Sequence, residues 1–226
     1  MKKYFALIIS MMVILTCFTA CKPKLKNGTM LTDAGGNQYA AVTEENGGIA
    51  RDDAGNLLVL VTDANGKNVK GDDGEYLTNP VAIKNAIVIG NKVECKEFSA
   101  TIPDGWSNAH STTGLSIKKD NSDRALVINP LDGSLDDAIS NVLLLINAMR
   151  TTYPDTVYVS KAEDLGNYKT TFISAFVPDT GSTPSYLAYY FFEYEHTVYS
   201  CRITAAQDIS NDLGEFKDII NSVQFR

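Results

Sequence analysis

Four cysteines and two histidines are the only thiol and imidazole groups in 226 residues. Nucleophilic catalysis needs a Ser, Cys or Thr beside a base, and a metal needs three or four converging ligands. No Gly-x-Ser-x-Gly elbow, phosphate loop, His-Glu-x-x-His or Cys-x-x-Cys occurs. His110 falls in a polar loop and His196 in a tight turn, neither with a partner at ligand spacing. Asp104 with His110 is a local acid–imidazole pair, but nothing supplies it with a nucleophile. The Asp-rich turn at Asp63 fails as a calcium loop, because Lys67 and Asn68 stand where an oxygen ligand and a glycine are required. No catalytic residue, metal site or cofactor is therefore expected. The formal charge is −7, with 27 acidic against 20 basic residues. That balance argues against a nucleic-acid backbone as partner, since phosphate binding rewards clustered Lys and Arg.

The cysteine with the clearest chemistry is Cys21. Met1-Lys2-Lys3 is a short basic start, and Tyr4 to Phe18 is an apolar run broken only by Ser10 and Thr16. Such a run is short for a membrane span, which takes about 20 apolar residues, and fits a secretory signal peptide. Phe18-Thr19-Ala20-Cys21 resembles the lipobox of bacterial lipoproteins, with Phe in place of the usual Leu. The resemblance implies cleavage before Cys21, a diacylglyceryl group on its thiol, and a lipid-anchored, extracytoplasmic protein. Each buried CH₂ contributes about 0.8 kcal/mol, so two or three chains hold where one does not. Lys22, Lys24 and Lys26 follow and stand either against anionic headgroups or in water.

The remaining pair, Cys95 and Cys201, would lie outside the cytosol, where disulfides persist. They form either one disulfide across a long loop or two buried thiols. The aromatic residues raise a similar choice. Trp106, Tyr186, Tyr190 and Tyr194 make a candidate binding surface for a protein or cell-wall component, or they are core and sheet-edge packing.

These residues are carried by three segments: a leader (1–20), a lipidated, Gly/Asp-rich stalk (21–84) and a compact domain (85–226). Nine of the sixteen glycines lie between Gly28 and Gly74, and residues 27–84 hold only two aromatics, Tyr39 and Tyr76. Asp33-Ala34-Gly35, Asp53-Ala54-Gly55-Asn56, Asp63-Ala64-Asn65-Gly66 and Asp73-Gly74 recur at steps of ten or twenty residues. Asp, Asn and Gly tolerate the positive φ of tight turns, so the segment reads as a repeat of short β-hairpins. It is similar to stalk repeats of cell-surface proteins.

In the compact domain, strands are expected at Phe98–Ile102, Leu115–Lys118 and Ala125–Asn129. Ser134 opens a helix whose apolar residues, from Leu135 to Met149, recur at three and four, and Asp137 completes a capping box. Four strands follow, at Val157–Leu165, Tyr168–Val177, Ser185–Tyr194 and Thr197–Ala205, then a helix at Asp212–Val223. Tyr186 to Phe192 is apolar on both alternating faces, so this sheet should be covered on both sides by helices. The class is α+β, an antiparallel sheet flanked by helices. Glu97-Phe98-Ser99-Ala100-Thr101-Ile102-Pro103-Asp104-Gly105-Trp106 and Phe216 to Phe225 resemble the PsbP-like fold, which includes DcrB-like lipoproteins. That resemblance implies a non-catalytic accessory or binding role and supplies no catalytic residue. Two other readings remain open: an envelope hydrolase using Asp104 and His110, and an envelope spacer with no ligand.

Overall fold

The computed structural model describes residues 25–33, 35–44, 48–83, 86–109, 114–178 and 186–225. Two regions meet in it. The first is an antiparallel sheet of β1 (Leu25–Thr32), β2 (Gln38–Glu44), β3 (Leu57–Leu60) and β4 (Thr78–Val81), in that order. Its turns share one construction. The N–H of Asp33, Asp52, Asp63 and Gly71 donates to the carbonyl four residues on, and the glycine in fourth position donates back to the first carbonyl. This is the three-residue hairpin loop with a left-handed bulge residue. Gly55 and Gly66 show why the residue is glycine: each has φ +77°, which a Cβ resists. In three of the turns the leading Asp carboxylate also accepts backbone N–H bonds from two and four residues ahead. Glu44 donates to the Gly48 carbonyl in the same manner. The turns thus begin at 33, 44, 52, 63 and 71, steps of 11 and 8 in alternation rather than an even ten.

The apolar run Leu57–Val61 serves both faces of this sheet. Leu57 and Val59 pack with Leu31, Ala41 and Ile87. Leu58 and Leu60 pack with Val42, Ala50 and Tyr76 on the opposite side. Each cluster is small, so backbone turns carry much of the shape.

The second region has two sheets. A seven-stranded antiparallel sheet runs in the order β11-β12-β13-β14-β10-β9-β8. Its members are β8 (Trp106–Ala109), β9 (Leu115–Lys119), β10 (Ala125–Leu131), β11 (Val157–Asp164), β12 (Lys169–Phe176), β13 (Tyr186–Tyr194) and β14 (Thr197–Ala205). A smaller sheet joins β5 (Ile87–Ile89), β6 (Lys92–Glu94), β7 (Phe98–Thr101) and β15 (Gln224–Phe225). The helices are α1 (Leu135–Thr152) and α2 (Gly214–Asn221). The class is α+β, with antiparallel sheets and segregated helices.

Helix α1 starts as its sequence dictates. Ser134 Oγ accepts from Asp137 N–H at 3.1 Å, and Asp137 Oδ2 accepts from Ser134 N–H at 3.4 Å. Val142 and Ile146 then pack on Ile173, Ala175 and Phe191 of the large sheet. The other face of that sheet carries Tyr186, Ala188, Tyr190 and Phe192. It is covered by Phe216, Ile219 and Ile220 of α2 together with Val93, Phe98 and Ala100 of the small sheet. Helices alone were expected on both faces. A helix covers one, and a helix plus a sheet covers the other, because α2 is only 8 residues long. Val223 leaves the helix early, stays buried, and leads into β15. Among the described residues no helix is long and apolar enough to cross a membrane.

The two regions are joined by more than a chain crossing. Asp33 forms a β-bridge with Ile87, and Ile87 fills the hydrophobic cluster under β1–β3. Arg51 reaches from the hairpin array to Glu94 on β6 at 3.4 Å, with the two side chains only 10% and 8% exposed. Its other nitrogen donates to the Gly55 carbonyl at 2.9 Å, and Lys92 reaches the second Glu94 oxygen at 3.0 Å. Burial lowers the pKa of the Arg51 guanidinium, partly offset by the neighbouring Cys95.

Candidate functional site on the open half of the main sheet

The residues that sequence reasoning singled out do not assemble into one place. Cys21, where the sequence leads one to expect lipidation, and His110 lie outside the described residues. Asp104 stands exposed in its turn. Cys95 and Cys201 are both buried in the main core, and no disulfide joins them. Burial pushes the Cys95 thiol up to about 12, against a smaller opposite pull from Arg51, and pushes Cys201 up further. Both are therefore protonated and poor nucleophiles at neutral pH.

The aromatic binding surface is not a surface. Trp106, Tyr186 and Tyr190 are buried, Tyr190 completely, and Tyr194 is half-buried against Phe225 at 4.3 Å between ring centroids. Alternation along a strand says which side chains share a face, but not which face is covered. Both faces of β13 are covered, so its even-numbered tyrosines became core. Trp106 packs edge-on against Phe216 at 5.3 Å. Burial raises the Tyr186 hydroxyl to about 12 and Tyr190 higher still, with Glu163 adding to both shifts. The Tyr190 hydroxyl has no hydrogen-bond partner among the described residues.

A different surface is left open. Helix α1 packs mainly on β12 and β13, with Leu131 at the end of β10 joining the same cluster, and the rest of that face on β14, β10 and β9 stays partly bare. The register places Val127 between Ser116 and Arg202, and Asn129 beside Ser200. Val127, Asn129, Ser116 and Thr204 are half-buried, while Arg202 is exposed. Arg202 sits across from Tyr189 on β13 and hydrogen-bonds its hydroxyl. Burial raises the Tyr189 pKa, and Arg202 partly opposes that. Asn129 Oδ1 is buried without a partner among the described residues. Gly114 lies against it, where a Cβ would come within 2.1 Å of the Ile128 carbonyl oxygen.

The result is a broad, shallow face carrying one guanidinium, an aromatic ring and small polar side chains. A guanidinium recognises a carboxylate or a row of carbonyls, and a flat sheet face suits an extended partner. The face offers no buried nucleophile–base pair. Among the described residues there is also no cluster of three His, Cys, Asp or Glu side chains that would hold a metal. Sequence reasoning missed Arg202. Its signal was present, a lone charge between Cys201 and Ile203 in an otherwise uncharged strand, but the uncovered face is set by where α1 crosses.

No family model matches the chain, and no curated protein does. Solved structures do show similarity. A protein of Bacteroides thetaiotaomicron VPI-5482, solved at 1.50 Å, is 14% identical with a TM-score of 0.43. The match covers 61% of this chain and 48% of that one, so the chain spans about half the length of the Bacteroides protein. The solution structure of cyanobacterial PsbP (CyanoP) from Synechocystis sp. PCC 6803 is 11% identical, also at TM-score 0.43. It covers 65% of this chain and 95% of its own. At these values the likeness assigns no residue and no role.

Proposed function

We propose that the protein is a lipoprotein held at the outer side of the cytoplasmic membrane or in the cell envelope by lipid on Cys21. In this reading the hairpin array stands between the anchor and a PsbP-like domain. That domain acts as a non-catalytic binding or accessory module for a protein or envelope component. The observation that carries the binding role is the open half-sheet around Arg202, in a domain whose two described thiols, Cys95 and Cys201, are kept protonated by burial. Exposed Arg beside an aromatic ring is the composition of a contact surface. The hairpin array supports a spacer role as well, since its turns are closed by their own Asp carboxylates rather than by a large core.

Crosslinking in intact cells tests the reading. A photoreactive residue at position 127, directly across from Arg202, is expected to capture one partner reproducibly, and adding Arg202→Glu to that variant is expected to abolish the capture. Labelling with a palmitate analogue is expected to mark the wild type and to fail for Cys21→Ser. An unmodified Met1 terminus on the native protein, or capture no better at 127 than at an exposed control position, would overturn it.

A further inference from the structure

The large sheet has two edges. At one end β8 is four residues long; at the other β11 is eight, paired to β12 on one side only. Seven of the eight β11 residues are exposed, and Glu163 is half-buried. Val157 is 63% exposed, and Tyr158 and Val159 are each 44% exposed. An edge of this kind presents a row of unpaired N–H and C=O groups, a template for another strand. Proteins usually blunt such edges with charge. Lys161, Glu163 and Asp164 blunt the second half of β11, but nothing of the sort protects Val157-Tyr158-Val159.

The sequence around those three residues is self-complementary. Read outward from Tyr158, Val157 mirrors Val159, Thr156 mirrors Ser160, and the acid Asp155 mirrors the base Lys161. In an antiparallel pair, residues directly opposite each other lie on the same face and interact. A two-fold axis through Tyr158 would therefore set Val against Val twice and Asp155 against Lys161 twice, while Thr156 stays buried with its hydroxyl donated to the Tyr153 carbonyl at 2.6 Å. Asp155 and Lys161 are both exposed. Neighbouring registers do worse. An axis at Ser160 sets Val159 against Lys161 and Val157 against Glu163, and an axis at Lys161 sets two lysines face to face. Arg150 of α1 already lies over the Tyr158 ring, 5.2 Å from its centroid, and holds it at the edge.

We propose that the protein forms a two-fold dimer by antiparallel pairing of β11 with β11 of a second copy, centred on Tyr158, so that the two seven-stranded sheets become continuous. The interface is isologous and closes on itself, which is what a palindromic edge permits. It uses the opposite margin of the sheet from β8 and none of the residues of the Arg202 face, so it stands or falls independently of the binding role.

Site-directed crosslinking of the full chain in detergent solution reads the register. Opposed Cα atoms in such a pair are roughly 4.5–5.5 Å apart, within disulfide reach. Tyr158→Cys is expected to give a covalent dimer on mild oxidation. Ala162→Cys, separated from its own copy by roughly 26 Å in this register, is expected to give none. Asp155→Lys and Lys161→Asp should each weaken self-association about tenfold, and an equimolar mixture of the two variants should restore it. Should Tyr158→Cys fail to fold, the charge-swap pair reads the same contact. The proposal is overturned by a wild type that sediments as a monomer at roughly 100 µM. Equal crosslinking at 158 and 162, or a complex containing a different protein at this edge, overturns it too.

Discussion

Residues 25–81 keep their shape through turns, and residues 87–225 keep theirs through a core. In the array, the same hairpin loop recurs, each closed by its own backbone bonds and most by an Asp carboxylate, over two clusters of a few side chains. In the larger region, residues far apart in sequence share one cluster running from Ala86 to Val223. Ser222 Oγ accepts from Thr101 N–H across 121 residues, and the Tyr168 hydroxyl donates to the Val223 carbonyl across 55. Local closure makes the array insensitive to any one contact elsewhere. A shared core makes the larger region all-or-none. The two meet at Arg51 and Glu94, and that junction decides whether they behave as one body.

The largest effect should come from the shared core. Phe216 is fully buried against Trp106, so Phe216→Ala is expected to cost about 3–5 kcal/mol. The loss should appear in the Trp106 near-UV signal and across the whole region. Leu57→Ala in the array should cost about 2–5 kcal/mol at most, with the Trp106 signal retained. Loss of that signal in Leu57→Ala would mean that the regions unfold together.

Next comes the junction. Arg51→Met takes the largely buried Arg51 guanidinium from Glu94 and leaves it the half-exposed Lys92, at a cost of about 3 kcal/mol. The double variant Arg51→Met, Glu94→Met should recover most of it, because no buried charge is then left unpaired. Urea titration of the single variant should show the array melting first. A single sharp transition with unchanged midpoint would show that the ion pair does not couple the regions.

Two glycines sharpen the contrast. Gly114→Ala drives a Cβ to within 2.1 Å of a backbone oxygen, an overpacking of about 1–3 kcal/mol. Gly66→Ala meets no atom within 4 Å and suffers only from its φ of +77°, about 1 kcal/mol. Thermal melts of the two variants should differ in that order, with Gly114→Ala also disturbing the face around Asn129.

The sequence carried local information well and pairings poorly. Helix α1 was legible because its apolar spacing and its Ser134–Asp137 box both lie within a few residues. The hairpin between β13 and β14 was legible from the two alternating runs that flank Glu195-His196, and the structure sets both of those residues at positive φ, as a two-residue loop requires. Strands β5, β6, β8 and β15 were not, since two to four residues carry no period and owe their form to partners elsewhere. Phe225 pairs with Phe98, for instance. Val223 kept the helical spacing of α2 although it lies beyond the helix, because burial is demanded of it in either state. The aromatic residues misled for a related reason: apolar alternation reports that a face wants covering, not what covers it. The Arg51–Glu94 pair left no trace, being two ordinary charges 43 residues apart.

The smallest predicted effect concerns acid. Burial works against the charge on Glu163, but hydrogen bonds from Lys217 and Lys161 outweigh it and hold the carboxyl below its usual value of 4.5. In the array, the side-chain bond from Asn56 and backbone N–H groups hold half-buried Asp52 below 3.8. A carboxyl depressed by folding adds stability above its unfolded pKa, and that stability is lost as pH falls through the folded value. Both regions should therefore loosen on titration from pH 5 downward, through different groups. Glu163→Gln should flatten the acid slope of the larger region by under about 1 kcal/mol. Asp52→Asn should flatten only that of the array. Added salt separates them further, since Glu163 depends on lysine charges and Asp52 on hydrogen bonds within its own turn. If 0.5 M salt, a strongly screening concentration of that order, shifted the Asp52 slope as much as the Glu163 slope, then array and core would be drawing on the same electrostatics, and the division between turn-held and core-held regions would fail at acid pH.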